Sequence, residues 1–250
     1  MRFLCLHGIG SNSQASNIAL MTFEQQTGTH ANAVSYIPIS TRPEKLTACP
    51  AAIRYELGNQ HTYDFVEGVV PWESSIKGSV HMEEATFSFC EPEEPQSCRQ
   101  ALHDLEEYIR EEGPFDGIIG FSLGATVALS CLVNLYRCRK GNGSEDAPFK
   151  VAVFFSNARQ PYDHDALDSN HIAYLDSTQA GKALLDLPTA HIWGSADPLK
   201  EEAQRAVDFC NAEKRSIFVH AKGHEVPNSA EDTVSIAKLI NRAICQVEMK

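Results

Sequence analysis

The chain has 250 residues, is 43% hydrophobic and carries a formal net charge of -12 spread along its length. That length and apolar content suit one α/β domain with a large core, or two small domains. The acidic balance argues against nucleic acid or an anionic membrane surface as a partner, and no apolar run reaches the roughly 20 residues of a membrane-spanning helix. Met1 to Gly8 leads straight into a strand pattern without the successive regions of a secretory signal, so the expected location is cytoplasmic. Eight cysteines are present, but Cys5 and Cys131 fall in apolar patterns and no Cys-x-x-Cys or zinc-like spacing occurs. Cys90 and Cys98 flank a Pro/Glu loop and could pair; reduced thiols and no metal are the expectation.

Arg2 to Leu6 predicts a short strand, followed by the glycine loop His7-Gly8-Ile9-Gly10-Ser11-Asn12. Helical spacing runs through Ile18, Ala19, Met21, Thr22 and Phe23, and Val34 to Ile39 suits a second strand. Thr41 to Asn59 reads as loop plus a short helix, and Thr62 to Gly68 as a strand. No clean period appears from Val69 to Pro95, so residues 69–96 are taken as a lid or pocket wall, with irregular core packing as the alternative. Trp72 is the substrate-binding candidate there. Ser97 to Glu112 predicts a helix opened by a capping box, Ser97-Cys98-Arg99-Gln100, and stopped by Gly113-Pro114.

An apolar run from Phe115 to Phe121 then meets Gly120-Phe121-Ser122-Leu123-Gly124, and an apolar helical pattern starts at once. A Gly-x-Ser-x-Gly between strand and helix places the serine on a sharp turn, with its hydroxyl pushed out of the sheet. The Leu123 amide would face the carbonyl that Ser122 attacks, with the positive end of the helix dipole behind it. In folds with this turn an early glycine loop supplies a second oxyanion donor, here the Ile9 amide, with a plain tight turn as the alternative. His7 reads as a buried, hydrogen-bonded former of that loop, with a catalytic base as the alternative.

Val151 to Phe155 predicts a buried strand ending near Arg159, a candidate for a substrate carboxylate or phosphate beside its plainer reading as a solvated surface arginine. Pro161 to Asp186 is polar, with a short helix near Gln179 to Leu185. Thr189 to Gly194 is a strand, Leu199 to about Asn211 a helix, Ser216 to His220 the last strand, and a final helix opens at Ser229. Strands and helices alternate without repeat or linker, which predicts a doubly wound, mostly parallel sheet with helices on both faces, residues 1–250 forming a single domain.

A serine nucleophile needs a base and an acid that orients it, in the chain order Ser, Asp or Glu, His. His164 and His171 fall in the polar segment, and His191 and His220 lie within strands. His224 alone follows the last strand in a Gly-His loop, which makes it the base. Asp197, just past a strand, is the acid; Asp163, Asp165, Asp168 and Glu225 are the alternatives. Asp197 before Pro198 would also suit a helix N-cap, and the two roles compete for one carboxylate.

As a set these motifs resemble the FSH-type serine hydrolases, a branch of the α/β-hydrolase superfamily common in fungi. The matching pieces are Leu4 to Gly8, Phe65-Val66-Glu67-Gly68, Gly120 to Ala125, His191 to Asp197, and Gly223 to Pro227, in family order. The resemblance implies the α/β-hydrolase fold, the triad Ser122, Asp197 and His224, and no metal or cofactor. The Phe-Val-Glu-Gly form resembles members from fungal secondary-metabolite pathways, some of them thioesterases that release polyketide chains from a synthase carrier domain. The implied function is hydrolysis of an acyl thioester or ester presented on an acyl carrier domain. A general carboxylesterase for short or medium acyl esters is the alternative, and a non-catalytic binding protein on this scaffold is the third reading. Many relatives carry Gln or Glu where this chain has Leu123, so the side chain beside the nucleophile is apolar here.

Overall fold

The computed structural model describes residues 1–11, 51–72, 85–142, 149–177 and 185–248. The helix expected through Ile18 to Phe23 and the strand at Val34 to Ile39 lie outside the described residues, as does most of the helix expected near Gln179 to Leu185.

The strands are β1 (Arg2–Leu6), β2 (Thr62–Val66), β3 (Val70–Pro71), β4 (Phe87–Ser88), β5 (Gly117–Phe121), β6 (Val151–Phe155), β7 (Thr189–Gly194) and β8 (Arg215–His220). Six form a parallel sheet in the order β2-β1-β5-β6-β7-β8, while β3 and β4 pair as a separate antiparallel hairpin. The chain runs from β1 outward to β2 and then returns to β5 on the other side of β1. That reversal puts the carboxyl ends of β1 and β5 side by side, the place where open α/β sheets collect ligands.

The helices are α1 (Ala51–Leu57), α2 (Pro95–Glu112), α3 (Leu123–Asn142), α4 (His164–Asp168), α5 (Lys200–Ala206), which runs into a 3₁₀ turn (Val207–Phe209), and α6 (Ala230–Glu248). Successive strand residues point to opposite faces, so each buried strand feeds two cores. Leu4, Leu6, Ile118, Ala152 and Phe154 meet α2 and α3 on one face. Phe3, Cys5, Ile119, Phe121, Val153 and Phe155 meet α1 and α6 on the other. The α6 stripe Ile236, Ile240, Ala243 and Ile244 has helical spacing. Removing one such side chain, as in Ile240→Ala, costs about 2–5 kcal/mol. α3 is buried on all sides from Leu123 to Val133, a largely apolar stretch whose two hydroxyls, on Thr126 and Ser130, are hydrogen-bonded.

Three local expectations are corrected. α2 opens at Pro95 rather than at a Ser97 capping box: Glu94 is the N-cap without a side-chain bond, and Ser97 Oγ instead accepts the Glu91 amide at 2.9 Å. Proline has a helical φ and no N–H to leave unpaired, so it takes the first turn and carries Ser97 inside the helix. The helix expected from Leu199 to Asn211 is α5 plus the 3₁₀ turn. α4 was not foreseen; Asp163 caps it by accepting the Asp165 amide at 3.1 Å. Among the described residues no helix is long and apolar enough to cross a membrane.

Candidate active site

Ser122 leaves the end of β5 with φ 55°, in the left-handed region that a side chain disfavours. The turn is held from three sides. The Ser122 amide donates to the Phe155 carbonyl of the neighbouring strand at 2.9 Å. The Ser122 carbonyl accepts from Ala125 and Thr126, both at 3.1 Å, which starts α3 immediately. Glycines allow the approach: a Cβ on Gly120 would lie 2.5 Å from Ala125 Cα, and one on Gly124 would lie 2.3 Å from the His7 carbonyl oxygen. Either contact is closer than atoms can pack, so the strand, turn and helix can cross only with glycine at both positions.

His224 and Asp197 come from the two loops that follow β8 and β7. These loops are bonded to each other beyond the sheet: Ser195 N donates to the His220 carbonyl at 2.7 Å, and Ala196 N to the Lys222 carbonyl at 3.1 Å. Val226, just past His224, is buried in the core with Phe121 and Phe155 and anchors the far side of the loop. The result is a continuous relay. His224 Nε2 lies 2.8 Å from Ser122 Oγ, and His224 Nδ1 lies 2.9 Å from Asp197 Oδ2. The Asp197 side chain is fully buried, while His224 is about one quarter exposed. The imidazole therefore has solvent on one side and a desolvated carboxylate on the other, an arrangement that favours Nδ1–H donating to Asp197 and a free lone pair on Nε2 for the hydroxyl proton.

The expected contest over Asp197 resolves by division. Oδ2 faces His224, while Oδ1 accepts the Leu199 amide at 2.8 Å. The capping role is accordingly displaced: Leu199, not Asp197, is the N-cap of α5. Two of the alternatives for the acid are used elsewhere. Asp163 caps α4, and Asp168 pairs with Arg99 at 2.7 Å. His191 and His220 are buried, and burial pushes both imidazoles below their ordinary pKa, His191 to about 3.

The glycine loop after β1 lies against Ser122: a Cβ on Gly8 would sit 3.3 Å from Ser122 Cβ. Neither the Ile9 nor the Leu123 amide has a hydrogen-bond acceptor among the described residues. His7 is buried, and desolvation lowers its pKa from the ordinary value. With Nδ1–H donating to the Gly8 carbonyl at 2.7 Å, Nε2 accepts the Gly68 amide at 2.9 Å. His7 thus shapes the loop rather than reaching the relay.

Trp72 and Arg159 are both outside the relay. The Trp72 ring rests on Gly10, its Cδ1 3.5 Å from where a Cβ would stand. Arg159 is engaged by Glu93 at 2.8 Å and by the Tyr174 hydroxyl at 3.0 Å. Its backbone amide donates to Thr126 Oγ1 at 3.1 Å, which ties the end of β6 to the first turn of α3. The β3–β4 hairpin was missed in sequence. Gly10 N donates to the Phe87 carbonyl at 3.0 Å and Phe87 N to the Ser11 carbonyl at 2.8 Å, so the hairpin is bonded to the glycine loop. The alternation Phe87-Ser88-Phe89 is the one signal that could have revealed it.

Comparison with known proteins gives the family and the fold. A family model described as "Serine hydrolase (FSH1)" matches residues 1–236. Esterase FPY3 of Fusarium mangiferae is 29% identical, over 98% of this chain and 99% of that protein. Hydrolase phiM from a fungal species is 27% identical, over 100% of this chain and 96% of that protein. Among solved structures, Arabidopsis thaliana SOBER1 superposes with a TM-score of 0.53 at 15% identity, covering 98% of this chain and 99% of that one. A carboxylesterase from Mesorhizobium loti gives 0.51 at 12% identity, covering 95% and 86%.

Proposed function

The chain belongs to the serine hydrolase (FSH1) family and has the α/β-hydrolase fold, and from that premise we propose that it cleaves an acyl thioester or ester through an acyl-enzyme on Ser122, with His224 as base and Asp197 as its orienting acid. The observation that carries the reading is the relay of 2.8 Å and 2.9 Å assembled from three separate loops.

In this mechanism the Ser122 hydroxyl gives its proton to His224 Nε2 as Oγ bonds to the acyl carbon. The carbonyl oxygen becomes an oxyanion, held by the Leu123 and Ile9 amides. Asp197 keeps the imidazole in the Nδ1–H tautomer and stabilises the imidazolium. The tetrahedral species collapses, the carbon–sulfur or carbon–oxygen bond breaks, and His224 returns its proton to the leaving group. Water then attacks the acyl-enzyme by the same steps in reverse, releasing the acid and restoring Ser122. No step needs a cofactor.

For the substrate, the proposal is an acyl thioester, a polyketide-derived chain carried on an acyl carrier domain. The resemblance of Phe65-Val66-Glu67-Gly68 to secondary-metabolite members supports it, as does the apolar core cluster beside the serine, which includes buried Leu123 and Phe89 and has Ile9 packed against it. The second reading, a carboxylesterase for short or medium acyl esters, draws on the relative that is itself named an esterase.

The deciding experiment treats the purified chain and its Ser122→Ala variant with a fluorophosphonate probe and measures intact mass. A single adduct on the native chain, absent from the variant, is expected. An unlabelled native chain that is correctly folded would overturn the proposed site. Matched thioester and oxygen-ester panels then separate the substrates: much faster turnover of the esters sinks the thioester proposal.

A further inference from the structure

An oxyanion donor accelerates a reaction only if it is already in place when charge develops. A loop containing Gly8 and Gly10 does not hold its amides in place by itself, because glycine leaves the backbone free; Gly10 indeed sits at φ 70°. The described residues show what holds it. Gly10 N and the Ser11 carbonyl form a two-bond antiparallel bridge to Phe87, at 3.0 and 2.8 Å. Phe87 lies in β4, whose partner strand β3 leads into Trp72. The Trp72 amide donates to the Thr86 carbonyl at 2.8 Å, and the Thr86 hydroxyl donates back to the Trp72 carbonyl. These two hydrogen bonds hold the Trp72 backbone, and the indole Cδ1 lies 3.5 Å from where a Cβ on Gly10 would stand. At the other end of the loop, His7 joins the Gly8 carbonyl to the Gly68 amide, two residues before β3. Both ends of the Gly8–Ser11 loop are therefore fastened to one structure, the β3–β4 hairpin and its approach.

We propose that this hairpin is a clamp that presets the Ile9 amide, and that Trp72 is a positioning residue for the oxyanion rather than a substrate contact. The inference rests on the reading of Ile9 as the second oxyanion donor. Its physical content is specific. Loosening the clamp weakens stabilisation of the tetrahedral species and leaves ground-state binding of the acyl chain alone, so kcat falls and KM stays.

The test compares the native chain with Trp72→Ala and Trp72→Phe on one hydrolysed ester. Trp72→Ala is expected to lower kcat by about 10- to 100-fold, short of the roughly 100- to 1,000-fold lost when an oxyanion donor is removed outright. KM should change by less than about threefold, and Trp72→Phe, which restores a flat ring over Gly10, should regain most of the rate. A trifluoromethyl ketone, which forms an oxyanion on reaction with Ser122, should lose affinity for Trp72→Ala by the same factor as kcat/KM. The matching methyl ketone, held without that charge, should not. A raised KM with unchanged kcat, or equal losses for both ketones, overturns the clamp and makes Trp72 a pocket wall. If Trp72→Ala does not fold, Thr86→Val removes only the hydroxyl that braces Trp72 and must show the same split at smaller size; no change in kcat for that folded variant also overturns the proposal. Absence of any adduct or turnover in the native chain is a different result, and it strikes the hydrolase site itself.

Discussion

Asp197 supports His224 with one carboxylate oxygen and its own loop with the other: Oδ2 lies 2.9 Å from the imidazole Nδ1, and Oδ1 takes the Leu199 amide at 2.8 Å. The two jobs separate by mutation. Asp197→Asn retains an oxygen for Leu199 but offers His224 an amide that no longer enforces the tautomer, so kcat should fall by roughly 10⁴-fold with little change in melting temperature. Asp197→Ala loses both bonds and should in addition lower stability by about 1–2 kcal/mol. Steady-state kinetics and thermal denaturation on the two variants check this. Equal melting temperatures would show that the Leu199 bond contributes nothing.

The strain at Ser122 leads to an opposite pair of effects. At φ 55° a residue with a Cβ costs roughly 1–2 kcal/mol more than in the right-handed region, a cost that glycine avoids. Ser122→Ala and Ser122→Gly should both reduce kcat by about a millionfold. Glycine should nevertheless leave the chain more stable than alanine by about 1 kcal/mol, after its larger unfolded-state entropy is set against the relief. Denaturant midpoints of the two variants measure the difference.

His191 makes stability fall in acid. Burial holds its folded pKa near 3, while an unfolded imidazole takes up a proton near the ordinary value of 6.5. Between those limits the unfolded chain binds the extra proton, so stability is complete above about pH 6.5 and declines as pH drops toward 3. One such group contributes a slope of about 1.4 kcal/mol per pH unit. His7 and His220, also lowered by burial, act in the same direction. His191→Gln, which keeps a polar end near Thr189 Oγ1, should flatten the curve by about that slope in urea melts between pH 4 and 6.5. An unchanged slope would place the acid sensitivity elsewhere.

Much of the site was legible because each part carries its own local requirement. Gly120 and Gly124 are needed wherever a strand turns into a helix through a serine, so Ser122 could be read from five residues. His224 and Asp197 followed from chain order and from lying just past strands. What escaped was structure too short to have a period. β3 and β4 are two residues each, and α4 is five. Their place is set by tertiary bonds, such as Phe87 to Gly10 and Asp163 to Asp165, and not by a repeating face. The start of α2 was misread for a related reason: Ser97 matched a cap motif, but Pro95 had the stronger backbone preference two residues earlier. The division of the Asp197 carboxylate is a matter of two oxygens on one side chain, which residue type and spacing do not encode.

Ser122 and His224 stand 102 residues apart in the chain although their atoms meet at 2.8 Å. Translation is vectorial, so the ribosome releases Ser122 well before His224. At about 5–20 residues per second that gap lasts roughly 5–20 s. Through it the emerging chain holds Ser122 without the imidazole that the proposed mechanism requires. Val226, two residues past His224, shares one core cluster with Ile236 and Ile240 of α6, so the proposed relay closes only on a chain released beyond β8.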